Sequence, residues 1–150
     1  MDDIDRKILA QLQVEGRLTV TELAERVRLS VSRCHRRLRS LEEAGVITGY
    51  HARLDPTALG LHFSAIVFVT LREGDTRAVA AIEEAIFAVP EVVVAQRLFG
   101  DPDYLLHVVC ADLPSFQRLY DDKLSALPGV QRLTSTLVMK NVVDGRPLPL

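Results

Sequence analysis

The sequence predicts an α+β chain in which an N-terminal winged helix-turn-helix is followed by a ferredoxin-like βαββαβ sheet domain that dimerises. Two patterns support this prediction. The first third of the chain has apolar residues at helical spacing and clear helix-start signals, whereas the rest alternates strand-like and helix-like segments in an order that occurs twice. Asp55 and Pro56 interrupt both patterns. We therefore expect domains at residues 1–54 and 63–150, joined by a linker at residues 55–62.

The composition excludes several classes of protein. The 150 residues are 48% hydrophobic and 25% charged, which provides enough apolar material for a core and argues against intrinsic disorder. The apolar runs fall far short of the roughly 20 residues that a membrane helix needs, and the acidic start lacks the features of a signal peptide. Cys34 and Cys110 are too few to build a disulfide framework. We expect a cytoplasmic protein with no membrane association.

The first domain is predicted to begin with two short helices. Apolar residues at helical spacing from Ile4 to Leu12 predict the first helix, which Gly16 ends. The second helix begins after Thr19, because Thr19 and Glu22 have the spacing of a capping box, in which each side chain binds the backbone N–H of the other residue. Both signals are local, so they fix these helices without knowledge of the rest of the fold.

A third helix is predicted between Ser30, as its N-cap, and Gly45, as the residue that follows its last turn. Only Leu29 and the residues beside it separate this helix from the second one. Such a tight connection between short amphipathic helices is typical of a helix-turn-helix. The β-forming residues of Val46–Leu54 then predict a strand or a small wing.

The second domain contains the same order of elements twice. Strands are expected at Phe63–Leu71, Val92–Phe99, Tyr104–Ala111 and Val130–Val143, and helices at Thr76–Val89 and Leu113–Leu127. Two successive βαβ units give an antiparallel sheet with both helices on one face. The opposite face of such a sheet is normally polar, yet Ile66 and Phe68 lie on it. A second copy of the chain would cover these side chains, so at least a dimer is predicted.

Positive charge is concentrated in the third helix, although the net charge of the chain is −2. Arginine is frequent between residues 26 and 39, and no acidic residue occurs there. On a helical wheel Cys34 and Leu41 fall in one arc and most of the arginines in another, which leaves the arginines free for the phosphates and base edges of a duplex. A solvated helix face is the alternative interpretation. The residues predicted to contact DNA are Ser30, Ser32, Arg33, Arg36, Arg37, Arg39 and Ser40.

Short motifs across both domains resemble the Lrp/AsnC family of feast/famine transcription regulators. They are LAERV, LSVS, RRLRSLEEAGVI, GY and LDP within residues 23–56, GDPDYLL at residues 100–106 and LPGV at residues 127–130. Their order and spacing, more than any single motif, carry the resemblance. It implies an N-terminal winged helix-turn-helix, a C-terminal amino-acid-sensing domain, dimers joined through their sheets, and frequent assembly to octamers.

The resemblance also implies an effector pocket between protomers, near the loop of the second hairpin and the last strand. The ammonium group of an amino acid requires a carboxylate, and its carboxylate group requires backbone N–H groups and hydroxyls. The residues that match this pocket are Gly100, Asp101, Asp103, Thr134, Ser135 and Thr136. Ordinary turn chemistry and cross-strand threonine pairs are the alternative interpretation of the same residues.

No pattern in the sequence indicates catalysis or a bound metal. The histidines and cysteines lack HxxxH and CxxC spacings, and no nucleophile elbow, Walker loop or GxGxxG occurs. We therefore expect no enzyme, no metal and no cofactor other than an amino-acid effector.

The expected function is sequence-specific transcriptional regulation in response to a small amino acid or related metabolite. The expected partners are double-stranded DNA, that effector, and further copies of the chain in a homodimer or a higher even oligomer such as an octamer. The alternative is a nucleoid-associated architectural protein that binds DNA with low sequence specificity, and an enzymatic βαββαβ domain is a weaker rival.

Overall fold

The computed structural model describes residues 1–72 and 75–150, which form two compact units. The first unit consists of Met1–Arg53 together with Val142–Leu150, and the second consists of Leu54–Asn141. The end of the chain differs from the expected division, since residues 142–150 pack with the first unit instead of extending the sheet domain.

The first unit contains three helices: α1 (Asp3–Val14), α2 (Val20–Val27) and α3 (Val31–Glu43). The capping box at the start of α2 is present, with the Thr19 N–H donating to Glu22 Oε2 at 2.8 Å and the Glu22 N–H donating to Thr19 Oγ1 at 3.2 Å. Between α2 and α3, Arg28 adopts a left-handed conformation with φ 57°, which turns the chain within a few residues. The result is the tight helix pair that the sequence predicts.

The core of the first unit joins all three helices. Ile8 of α1, Leu23 of α2 and Cys34 of α3 are completely buried. Burial raises the pKa of the Cys34 thiol above its ordinary value, so this cysteine stays protonated and acts as a small apolar side chain. The inward face of α3 is therefore fixed by packing, and its orientation determines which side chains of α3 face solvent.

One local prediction for the first unit is wrong, and another holds only for the position of the residue. Residues 46–54, all of which the structure describes, contain no strand. A strand needs a neighbouring strand as its hydrogen-bond partner, and the regular elements described in this unit are helices. Ser30 does occupy the N-cap position of α3, but its side chain makes no capping hydrogen bond and its hydroxyl lies 3.4 Å from that of Ser32.

The second unit is a four-stranded antiparallel sheet with the strand order β2-β3-β1-β4. Its strands are β1 (Phe63–Leu71), β2 (Val92–Arg97), β3 (Tyr104–Cys110) and β4 (Val130–Leu137), and its helices are α4 (Thr76–Phe87) and α5 (Leu113–Leu119), which continues into a π-helical turn at Tyr120–Leu124. This is the predicted ferredoxin-like arrangement. The predicted ends of two strands are wrong, because β2 stops at Arg97 and β4 at Leu137.

The two faces of the sheet differ in burial. On the helix side, Val67, Leu106 and Val108 are completely buried with Ile82 of α4. The opposite face, here called the open face, carries Ser64, Ile66, Phe68, Leu105, His107 and Val109 in the two central strands. These side chains are only half-buried in the single chain. The central strands thus present a mostly apolar surface on the side of the sheet away from the helices.

Candidate DNA interface and effector site

The outward face of α3 carries the predicted DNA-binding side chains. Cys34 and Leu41 are buried on the inner side, whereas Arg33, Arg36 and Ser40 are exposed. This division follows from the helical period, because residues three or four apart share a face. The packing of α3 against α1 and α2 therefore leaves one arc of the helix accessible to a large partner.

The arginines of α3 differ in their surroundings. Within the described part of the chain, no carboxylate lies within ion-pair distance of Arg33 or Arg36. Arg39 approaches Glu43 at 3.5 Å, but both side chains are about 70% exposed, and such a pair contributes only about 0–1 kcal/mol. A polyanion can therefore recruit all three guanidinium groups with little competition from the protein itself.

Arg37 is engaged within its own unit. Its Nη1 lies 2.8 Å from the Asp2 carboxylate and 2.7 Å from the Asp5 carboxylate, at the start of α1. These two partners raise the pKa of the Arg37 guanidinium, and hydrogen bonds from the Asp5 backbone N–H and from Arg37 lower the pKa of Asp2. The contact joins α3 to the first turn of α1, so the Arg37 guanidinium is already paired within its own unit.

The start of α3 differs from the starts of α1 and α2. The side chains of Asp2 and Thr19 accept hydrogen bonds from the first turns of α1 and α2. The Ser30 side chain accepts none from α3, although Ser30 and Ser32 are both exposed. The first-turn N–H groups of α3 and both hydroxyls are consequently available to an acceptor such as a phosphate oxygen.

In the second unit, the loop between β2 and β3 is held by Asp103. Its N–H donates to Val69 O at 2.9 Å, and its carbonyl accepts from the Leu98 N–H at 2.7 Å. Its half-buried carboxylate accepts from the Leu71 N–H at 2.7 Å. Asp103 therefore attaches the loop to the end of β1, and one of its carboxylate oxygens already has a backbone partner.

Asp101 has a different environment at the tip of the same loop, beside Gly100, which has φ 132°. Its carboxylate accepts from Thr70 Oγ1 at 3.0 Å and pairs with Arg132 at 3.3 Å. Thr70 and Arg132 are directly opposite each other in the β1–β4 ladder, so both lie on the same face of the sheet. Sequence reasoning did not select Thr70 or Arg132, although alternation along β4 puts Arg132 on the face of Thr134.

The predicted β4 residues are divided between the two faces. Thr134 pairs with Phe68 and Thr136 with Ile66, so both threonines belong to the open face. Ser135 pairs with Val67, which is buried on the helix side. The open face therefore carries Thr134 and Thr136 along β4. The Asp101 carboxylate contacts the same face through its hydrogen bond with Thr70 and its ion pair with Arg132. Ser135 does not belong to this arrangement.

A polar pair interrupts the apolar open face. Ser64 Oγ lies 2.7 Å from His107 Nε2, and both residues are half-buried. The Ser64 hydroxyl and one ring nitrogen of His107 thus have a hydrogen-bond partner within the sheet, and both atoms stay paired when another surface covers this part of the face. The sheet surface is thus chemically suited to contact with another protein surface.

Residues 1–72 and 75–150 contain neither a cluster of metal-ligating side chains nor a helix that could span a membrane. No group of three or more histidine, cysteine, aspartate or glutamate side chains there is arranged to hold a metal ion. Within the same residues, every helix is too short or too polar to span a bilayer.

Comparisons with known proteins agree with this architecture. A family model described as "Lrp/AsnC ligand binding domain" matches residues 64–148, and one described as "Winged helix-turn-helix DNA-binding" matches residues 1–48. The Bkd operon transcriptional regulator of Pseudomonas aeruginosa is 39% identical over 150 residues, which cover 100% of this chain and 98% of that protein. The leucine-responsive regulatory protein of Rhizobium meliloti is 40% identical over 144 residues, covering 96% and 92% of the two chains.

A solved structure is similar over nearly the whole chain. It is a transcriptional regulator of Neisseria meningitidis in complex with L-Met, with 38% identity and a TM-score of 0.94, covering 99% of this chain and 96% of that one. The relatives are regulators, which does not favour the architectural alternative. The chain belongs to the Lrp/AsnC family, and it is a transcriptional regulator with an N-terminal helix-turn-helix and a C-terminal ligand-binding domain.

Proposed function

We propose that the protein binds operator DNA through the outward face of α3 and that a small amino acid, bound in the sheet domain, alters this binding. The observation that carries the first part is the exposed pair Arg33 and Arg36, neither of which has a carboxylate partner among the described residues. Guanidinium groups in this position form bidentate hydrogen bonds with guanine and ion pairs with phosphates.

The remaining predicted residues have supporting roles in DNA binding. Ser30 and Ser32, with the first-turn N–H groups of α3, bind a phosphate and fix the register of the helix. Arg39 and Ser40 extend the contact towards the end of α3. Arg37 contributes indirectly, because its ion pairs with Asp2 and Asp5 hold α3 against α1.

The active form is a homodimer in which the open faces of two sheets cover each other. The half-buried Ile66, Phe68, Leu105 and Val109 support this assembly, since burial of such apolar area stabilises an interface. A two-fold dimer presents two α3 helices, so its operators are imperfect palindromes with half-sites about one helical turn, or a multiple, apart. Dimers assemble further into a higher even oligomer such as an octamer.

The effector site is centred on Asp101 and Arg132. The Asp101 carboxylate binds the α-ammonium group of an amino acid, the Arg132 guanidinium binds its α-carboxylate, and Thr134 and Thr136 with the Gly100 backbone add hydrogen bonds. The ion pair between Asp101 and Arg132 must exchange for these contacts. Their side chains are 69% and 61% exposed, so that exchange costs only about 0–1 kcal/mol.

The related regulator bound to L-Met supports an amino acid as the class of effector. A ligand can change DNA affinity only if it binds one arrangement of the dimer or oligomer more tightly than another. The amino acid therefore acts by favouring one such arrangement. Asp103 holds the loop in shape, and Ser135 has no direct contact with the ligand.

The DNA-binding part is tested by selecting bound duplexes from a random library. We expect enrichment of palindromic sites with the stated spacing and an affinity for them at least about 10³-fold above that for random duplex. Arg36→Ala should relax the base preference within each half-site, whereas Arg77→Ala, an exposed arginine of α4, should leave it unchanged. Equal affinity for selected and random duplexes would reject sequence-specific regulation.

The effector part is tested by following operator binding and thermal stability while each standard amino acid is added. We expect at least one amino acid to change both. Arg132→Ala should abolish the change and Arg118→Ala, an exposed arginine of α5, should preserve it. A response that survives in both variants would remove Arg132 from the site.

A further inference from the structure

The surface of the first unit has an apolar groove between α1 and the residues that follow α3. The groove has a volume of about 300 Å³. Its lining includes Leu9, Leu12, Ile47 and Tyr50 on one side and Leu148 and Leu150 on the other. The last two residues belong to the segment 142–150, here called the strap. The groove is therefore bounded in part by a segment that is remote in sequence.

One anchor of the strap is the side-chain amide of Gln13. The Leu148 N–H donates to Gln13 Oε1 at 2.6 Å, and Gln13 Nε2 donates to Leu148 O at 3.3 Å. The amide thus binds both backbone groups of a single residue, as a neighbouring peptide group does in a sheet. This two-way contact defines which residue of the strap faces α1, so the docking has a fixed register.

A second anchor lies at Arg53. Its Nη2 contacts the Asp144 carboxylate at 2.7 Å and the Asp144 carbonyl at 3.0 Å. The guanidinium also lies against the backbone of Gly145, where a Cβ atom would be 3.1 Å from Arg53 Cζ. Gly145 has φ 59°, a conformation that residues with a side chain rarely adopt. Glycine at this position allows both the turn and the close approach.

The strap is anchored but mostly exposed. Leu148 is 72% exposed and Val142 87%. A segment with few buried apolar contacts opens at a lower free energy than the core does. Release of the strap should therefore cost less free energy than unfolding of the core.

The strap lies close in sequence to the strand that carries residues of the proposed effector site. Strand β4 ends at Leu137, and only residues 138–141 connect it to the strap. The same strand carries Arg132, Thr134 and Thr136 of the proposed effector site. We propose that the surface formed by α1 and residues 46–53 is a docking site for the strap, which closes one side of the groove, and that effector binding at β4 acts on the helix-turn-helix by changing strap docking. The effect of the effector on strap docking rests on the proposed function.

Docking is tested by hydrogen exchange on the full chain. Gln13→Ala removes one anchor, Gly145→Val disrupts the other, and Arg146→Gln is a matched control within the strap. Loss of a hydrogen bond should make the Leu148 amide exchange roughly two- to tenfold faster in Gln13→Ala, with a parallel change at residues 46–50. Gly145→Val should give the same result, and Arg146→Gln should match the parent. Equal exchange in all four proteins would overturn docking.

Transmission is tested by measuring the effector-induced change in operator affinity in the same variants. We expect Gln13→Ala and Gly145→Val to bind effector as the parent does, by calorimetry, but to lose most of the change in operator affinity. An unreduced change would overturn the transmission. A parent protein that responds to no amino acid would instead refute the proposed effector function, while the exchange result would still decide the docking of the strap.

Discussion

Substitutions at Asp103 and Asp101 distinguish a residue that shapes the effector loop from a residue that binds the effector. In Asp103→Ala the partly buried Leu71 N–H loses a charged acceptor at 2.7 Å, which should cost about 1.5–3 kcal/mol. In Asp103→Asn the amide oxygen can still accept this hydrogen bond as a neutral group, so we expect a loss of only about 1 kcal/mol. Asp101→Asn changes an exposed carboxylate, whose ion pair with Arg132 contributes about 0–1 kcal/mol, and should alter stability by no more than that.

Urea unfolding of the full chain measures these differences. With an m value of about 2 kcal/mol per molar urea, Asp103→Ala should lower the unfolding midpoint of the sheet domain by roughly 1 M. In an amino-acid titration, Asp103→Asn should still respond and Asp101→Asn should not, because only Asp101 is assigned to the ammonium group. The opposite pattern, a lost response in Asp103→Asn with unchanged stability, would refute this assignment.

Three other expectations follow from named contacts. Arg37→Ala should lower the melting temperature of the first unit more than Arg36→Ala does, because Asp5 loses its cation; equal melting temperatures would contradict the positioning role. Phe68→Asp should convert dimers to monomers in analytical ultracentrifugation, whereas Phe87→Asp on α4 should not; an unchanged mass would exclude the open face as the dimer interface. Burial raises the pKa of Tyr104 to about 12, so the phenolate absorbance of Tyr104, measured as the difference between the parent and Tyr104→Phe, should appear only near that pH. The stability that the neutral phenol provides should be complete below about pH 10 and disappear as the pH approaches 12, and ionisation of Tyr104 near pH 10 in the folded protein would contradict this.

The sequence predicts best those features that depend on local signals. Thr19 and Glu22 mark the start of α2 because both partners of the capping box are three residues apart. Strand ends depend instead on partners far along the chain. Val142 and Val143 are good strand formers, yet β4 ends at Leu137, where its pairing with Ala65 of β1 ends. The predicted wing strand is absent from residues 46–54 for the same reason.

The same distinction between local signals and distant partners applies to the DNA interface and the effector site. Helical spacing correctly puts Arg33 and Arg36 on the outer face of α3, since that requires only the period of the helix. The partner of Arg37 at Asp5 is more than thirty residues away and becomes visible only when α1 packs against α3. Likewise, the register between β1 and β4 brings Arg132 beside Thr70, and no local signal in the sequence specifies a register.

The central claim is that the guanidinium groups on the outer face of α3 contact DNA directly. Its most direct test is the dependence of operator affinity on salt concentration in Arg33→Ala, Arg36→Ala and the double variant, with Arg77→Ala as the control. If each arginine neutralises one phosphate, each substitution removes two contacts from the dimer and should reduce the slope of log affinity against log salt by about 1.8, and the double variant by about 3.6. If one of them binds a base edge instead, its loss should relax the preference at that base while leaving the slope nearly unchanged. A double variant that keeps both the parent slope and the parent affinity would contradict the assignment of α3 as the DNA-binding helix.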